Sequence, residues 1–120
     1  TSGPIRGYSM LIVSPNIKIY LYSSFTDMRK ASQTLAAIIT NITGLNPLDE
    51  SMYVFYNKHK NKIKILQWHQ NGFWLHYKSL VKGKFVIPKT DGNDYIHSTD
   101  LYSLLESAAT ITVNNDTKLF

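Results

Sequence analysis

Between Ser51 and Thr90 this chain carries eight lysines, three histidines and not one acidic residue; all eight acids lie outside that stretch. Aromatic residues run through the same segment: Tyr53, Phe55, Tyr56, Trp68, Phe73, Trp74, Tyr77 and Phe85. A disordered basic tail is poor in such residues, because it has no core to fill. Here the cations alternate with side chains that favour strands. The segment is therefore expected to fold as a positively charged sheet, and the common counterpart of such a surface is a polyanion. Many soluble domains are mildly basic and bind nothing charged. What sets this chain apart from them is the uneven placement of its charge more than its net value of +5.

A chain of 120 residues is one domain, long enough for a single core without covalent staples. The absence of cysteine excludes a disulfide framework, a thiol nucleophile and cysteine-ligated zinc, and it fits a reducing compartment. No apolar run approaches the ~20 residues of a membrane span. Met10 to Val13 is too brief for a signal-peptide core. A cytoplasmic protein with no membrane partner is expected. Residues 1–16 are expected to be a leader, with Met10 a natural start and the residues before it open to artificial origin. Residues 17–109 form the domain, and residues 110–120 a flexible tail.

Ile17 to Tyr22 predicts a strand. A helix is expected next, capped by Thr26 with Asp27 in its first turn. Its apolar stripe runs through Met28, Ala31, Leu35, Ile38, Ile39 and Ile42, and Gly44 and Pro47 end it. Ser51 to Tyr56, Lys62 to His69 and Phe73 to Leu80 read as strands, with Asn57 to Asn61 a cationic loop tip. Lys84 to Ile87 reads as a short strand ended by Pro88, followed by a loop from Thr90 to Asp94. Ser98 or Thr99 caps a short helix carrying Leu101, Leu104, Leu105 and Ala108. The fold class is α+β: a mainly antiparallel sheet of four to five strands, one longer helix after the first strand and one short C-terminal helix.

Asn71-Gly72 predicts a two-residue hairpin turn. That sets Gln70 opposite Phe73, Trp68 opposite Leu75 and Leu66 opposite Tyr77. One face then holds Leu66, Trp68, Phe73, Leu75 and Tyr77, a core face. The other holds Gln67, His69, Trp74, His76 and Lys78, with Ile63, Ile65 and Leu80 toward the far end, where a helix could cover them. This mixed face has the composition of a binding surface.

The candidate nucleic-acid-binding residues are Arg29, Lys30, Lys58, Lys60, Lys62, Lys64, Trp74, His76, Lys78, Lys82 and Lys84. Lys60, Lys62 and Lys64 recur at two-residue steps, so on a continuous strand they form a row at ~7 Å spacing that can follow a phosphate backbone. A solvated strand edge guarded by lysine explains the same row. Trp74 is a stacking platform or a core residue. Arg29 and Lys30 in the first turn of a helix could hold a phosphate, unless Asp27 pairs with Arg29. His59, His69, His76 and His97 have no metal-ligand spacing. His69 and His76 as diagonal neighbours leave a small basic nuclease as a remote alternative. No catalytic residue, metal or cofactor is expected.

Several pieces, in order and spacing, carry a resemblance. They are Thr26-Asp27-Met28-Arg29-Lys30, Val54-Phe55, Lys64-Ile65-Leu66 with Trp68, Gly72-Phe73-Trp74-Leu75, Tyr77-Lys78 with Leu80, and Gly83-Lys84-Phe85 before Pro88. Over about Ile17 to Ala108 the chain resembles the second-reading-frame accessory proteins of insertion-sequence sixty-six transposons, the TnpB type. Ser79 stands where that family typically has arginine, and Ile87 where it often has tryptophan. Lys58-His59-Lys60 replaces a commonly arginine-rich loop. Lysine keeps the charge but lacks the bidentate fork, which weakens base-specific reading and leaves phosphate binding intact. The resemblance implies a bacterial, non-enzymatic accessory role in transposition and DNA recombination, beside a transposase and a second small accessory protein. Transposon-end DNA is the expected ligand of the lysine-rich sheet. The alternative is an adaptor whose Trp74 face docks on the transposase or on a second copy of the chain.

Overall fold

Residues 16–90 and 92–106 are described by a computed structural model of the chain. The expected leader, apart from Asn16, and the expected tail lie outside them, as do Asp91 and Ala108. Among the described residues one five-stranded sheet forms, in the order β4-β3-β2-β1-β5. The strands are β1 (Ile19–Leu21), β2 (Met52–Tyr56), β3 (Lys62–His69), β4 (Gly72–Ser79) and β5 (Tyr95–Ile96). β1 runs parallel to β2; the other pairings are antiparallel. Helix α1 (Ser32–Ile38), extended by a π-helical stretch Ile39–Thr43, makes the crossover from β1 to β2. Helix α2 spans residues 98–106.

Both faces of the sheet are covered, which is why the central strand Met-Tyr-Val-Phe-Tyr is buried at all five positions. On one face Leu35 and Ile39 of the crossover helix pack on Tyr20, Tyr22, Tyr53, Phe55 and Leu66. On the other, Leu101, Leu104 and Leu105 of α2 pack with Phe85 on Ile19, Leu21, Val54, Ile63 and Ile65. The expected helix cover over Ile63, Ile65 and Leu80 is therefore present.

Several local expectations are corrected. α1 begins after Ala31, not after Thr26. Asp27 instead closes a turn in which its Oδ1 accepts from the Arg29 backbone N–H at 2.9 Å, and its carbonyl from that of Lys30 at 3.2 Å. Arg29 and Lys30 thus lie outside the helix. Its end is wider than α-helical: Thr43 Oγ1 donates to the Ile39 carbonyl at 2.6 Å, and Gly44 terminates it at φ 76°. The wider turn rotates Ile42 off the stripe, leaving it 66% exposed.

The hairpin pairs Trp68 with Phe73 and Leu66 with Leu75, so its two turn residues are Gln70 and Asn71, not Asn71 and Gly72. Both have left-handed φ, 46° and 74°, as a primed turn requires. The pairing differs from expectation by two residues, an even slip, so every side chain keeps its face. The core face is nonetheless incompletely covered: Leu66 is buried, whereas Tyr77 is 51% exposed. Lys84 to Ile87 is not a strand. Phe85 anchors that segment, its side chain in the core and its N–H donating to the Lys60 carbonyl at 2.7 Å. The fifth strand is Tyr95–Ile96, recruited by β1. At α2 the cap is His97, whose N–H is held by Asp100 at 3.0 Å; Ser98 and Thr99 fall inside the first turn.

Candidate nucleic-acid interface

Three connections meet at the end of the sheet where β1 and β2 finish and β3 begins. They are the turn after β1, the β2–β3 loop and the segment leaving β4. Backbone hydrogen bonds tie them together: Thr26 N–H to the Tyr56 carbonyl at 2.9 Å, Leu80 N–H to Asn61 at 2.9 Å and Phe85 N–H to Lys60 at 2.7 Å. The β2–β3 loop is braced from within. Asn57 Oδ1 accepts from the N–H groups of Asn61 and Lys62, each at 3.0 Å, and Lys60 takes a left-handed φ of 58°. Arg29, Lys30, Lys58, Lys60, Lys62, Lys82 and Lys84 all belong to this end. Among the described residues the opposite end, where β1 and β2 start, carries the acids Asp49 and Glu50 beside a single lysine, Lys18. The sheet is thus polarised along its strands.

Among the described residues Asp27 and Asp94 lie at this end, and Glu106 follows Leu105, whose carbonyl Lys78 reaches. Asp27 is paired with Arg29, Nη2 to Oδ2 at 2.7 Å and Nε to Oδ1 at 3.0 Å. That guanidinium holds the Asp27 carboxyl well below the usual carboxylate range. Asp94 lies on the β5 side, its carbonyl accepting from Leu21 N–H at 2.7 Å. Structural pairing of Arg29 with Asp27 is therefore realised, yet both groups remain at the surface.

The eleven candidate residues divide three ways. Lys58, Lys60, Lys62, Lys82 and Lys84 project from the cationic end, with Arg29 and Lys30 beside them. Lys64 is turned inward, its Nζ donating to the Lys30 carbonyl at 2.8 Å and standing 5.3 Å from the Tyr77 ring centre. The expected row is broken, because β3 starts at Lys62 and Lys60 sits in the turn. Trp74, His76 and Lys78 lie on β4, on the α2 face. Trp74 and His76 stack at 6.2 Å and 21°. Burial holds the His76 imidazole below its ordinary pKa, and its Nε2 is buried with no hydrogen-bond partner. Lys78 Nζ donates to the Leu105 carbonyl at 2.9 Å, next to the last described residue of α2.

Phe25 and Val81 at this end escaped the sequence reading. Phe25, Met28, Lys58, His59 and Lys62 line one shallow groove with Asp27. Phe25 is 54% exposed and meets Tyr56 edge-on at 5.9 Å. Val81 is wholly exposed beside Lys82. The serine pair before Phe25 marks a loop, but nothing in the sequence placed that loop against the lysines. No group of three or more side chains able to hold a metal occurs among the described residues. No helix among them is long and apolar enough to cross a membrane.

Fold and surface define a small α+β domain with a cationic end, in which no strand among the described residues pairs with the outer edge of β4. The chain belongs to the IS66 Orf2-like family, whose model matches residues 17–115. Its role is accordingly an accessory one in insertion-sequence transposition, in association with the transposase. Two relatives come from Sinorhizobium fredii. The uncharacterized protein y4hO is 31% identical over 83 residues, covering 69% of this chain and 72% of that one. The uncharacterized protein y4jC is 24% identical over 103 residues, covering 86% and 80%. No solved structure matches the chain significantly.

Proposed function

We propose that this protein is a non-enzymatic DNA-binding module of the transposition machinery, working in the bacterial cytoplasm and engaging transposon-end DNA through the cationic end of its sheet. The observation that carries this reading is the meeting of three lysine-bearing connections at one end while Asp49 and Glu50 sit at the other. Lys58, Lys60, Lys62, Lys82 and Lys84 are the phosphate contacts. Lys64 and Lys78 act inside the fold, satisfying carbonyls of Lys30 and Leu105. Five phosphate contacts give log affinity a slope of about −4.5 against log salt on duplex DNA. A gel-shift series across salt, with transposon-end and scrambled duplexes, tests this. Binding absent at low salt, or a flat salt response, refutes it. Similar slopes on both duplexes are expected, since lysine contacts to phosphate carry no sequence information.

A second reading, docking on the transposase, draws on the exposed Trp74 stacked on His76. It predicts that Trp74→Ala loses co-purification with the transposase while keeping DNA affinity. Retained co-purification removes it.

A further inference from the structure

The sheet's two edges are unequal. β5 is two residues long, whereas β4 runs for eight with neither proline nor acid. Leu80 N–H donates to the Asn61 carbonyl in continuation of the β3–β4 register. Hydrogen-bonded and non-bonded pairs alternate in an antiparallel ladder, so Gly72, Trp74, His76 and Lys78 bond inward to β3. Phe73, Leu75, Tyr77 and Ser79 therefore turn their N–H and C=O groups outward, and no strand among the described residues meets them. Proteins usually guard such an edge with a lysine, a proline or a bulge. The one lysine on β4 is folded down onto the Leu105 carbonyl, and the strand is regular throughout.

We propose that β4 pairs antiparallel with β4 of a second copy of this chain, making a continuous sheet across a two-fold axis at Leu75. A two-fold axis perpendicular to the sheet keeps equivalent faces together, so paired residues must share a face. Centred on Leu75, the register sets Phe73 against Tyr77 and Leu75 against Leu75 on the α1 face. On the α2 face it sets Trp74 against His76 and Gly72 against Lys78. Aromatic and apolar groups meet across the axis, and neither lysine faces a like charge. The outward groups of Phe73, Leu75 and Tyr77 then find partners in those of Tyr77, Leu75 and Phe73. Such pairing supplies main-chain hydrogen bonds in addition to side-chain contact. This inference does not rest on DNA binding.

Sedimentation across concentration reads the mass directly: a particle of about 27 kDa is expected, twice the chain's 13.7 kDa. Tyr77→Pro removes one outward donor and leaves the β3 ladder whole, since proline is tolerated on an edge. It is expected to sediment as a monomer with an unchanged far-UV spectrum. A folded Tyr77→Pro variant that stays at double mass overturns the proposal. So does a wild-type chain that stays monomeric up to roughly millimolar concentration, the weak end of specific association. Hydrogen exchange on the wild type keeps the question open to test if the proline variant misfolds. The amides of Phe73, Leu75 and Tyr77 should gain protection as concentration rises, while those of Trp74, His76 and Lys78 are protected throughout. Concentration-independent protection of the outward set would mean that another part of the same chain covers the edge, and would also overturn it.

Discussion

Phe85 joins the core to the cationic end, so truncating it should be felt twice. Its ring is 2% exposed in the cluster of Ile63, Ile65, Leu101 and Leu104. Phe85 also lies in an irregular segment, with one backbone hydrogen bond to Lys60 and no strand ladder around it. The ring is therefore the main anchor of the stretch that presents Lys82 and Lys84. Phe85→Ala should lose about 3–5 kcal/mol, from transfer and from the cavity left behind. At roughly 5 °C per kcal/mol for a domain of about 100 residues, the melting temperature should fall by about 15–25 °C. Phe85→Leu, which keeps most of the volume, should lose less than about 1.5 kcal/mol. The second effect is on binding: freed from its anchor, the segment no longer holds two lysines in place. The salt slope of Phe85→Ala, measured where it is still folded, should shrink by about 1.8, at 0.9 per phosphate contact. Thermal melts followed by circular dichroism and a salt series on one duplex give both numbers. A fall of only a few degrees would refute the anchoring role of the ring. A large fall with the slope intact would leave the anchor standing and remove Lys82 and Lys84 from the interface.

Three further outcomes are expected. Asp27→Asn removes the acid paired with Arg29 and should steepen the salt slope on DNA by about 0.9, read by the same gel-shift series. His76 is held neutral by burial, its native pKa lying below 6.5, so the unfolded chain binds more protons as pH drops below 6.5. Stability should therefore decline from that pH down to the lowered native value, by at most about 1.4 kcal/mol per pH unit. His76→Phe should flatten this dependence in melts taken between neutral and acidic pH, and an unchanged slope would reject the assignment. Gly44→Ala, at φ 76° with nothing near the added methyl, should cost about 1 kcal/mol in urea unfolding through backbone strain alone.

The sequence was most legible where period and burial coincide. β2, buried on both faces, reads as an unbroken apolar run, and the α1 stripe through Leu35 and Ile39 reads at helical spacing. It was least legible where one residue has two competing uses. Asp27 is a good first-turn acid, but Arg29 two residues on offers it a closer partner, so the chain turns before the helix starts. Asn71-Gly72 is the favoured hairpin dipeptide, yet Gln70-Asn71 supplies the same two left-handed residues. An alternating pattern cannot tell registers apart when they differ by two. β5 is two residues that become a strand only because β1 offers them an edge, a tertiary effect without local signature. At the candidate site the lysines could be counted from the sequence, but their employment could not. Lys64 and Lys78 look like Lys62 and Lys84 until the carbonyls of Lys30 and Leu105 are seen above them.

That division of labour explains how a domain with so lopsided a charge stays folded. Like charges brought together at one end repel, and the repulsion opposes the compact state. The fold relieves it in two ways. Two ammonium groups are drawn toward carbonyl oxygens, where the partial negative charge offsets them and the interaction closes an otherwise open backbone group. The remaining five are carried on two separate connections, the β2–β3 loop and the segment leaving β4, so their separation is set by loop geometry instead of by a single strand. Bracing of those connections by Asn57, Thr26 and Phe85 then has a functional sense. An unbraced loop would relax the repulsion by moving apart, and each ordering event would have to be repeated on binding. In the proposed dimer the two-fold axis reverses the strands of one copy relative to the other. The two cationic ends then lie at opposite ends of one continuous sheet, facing away from each other, and each can hold a separate DNA segment without adding to the other's repulsion.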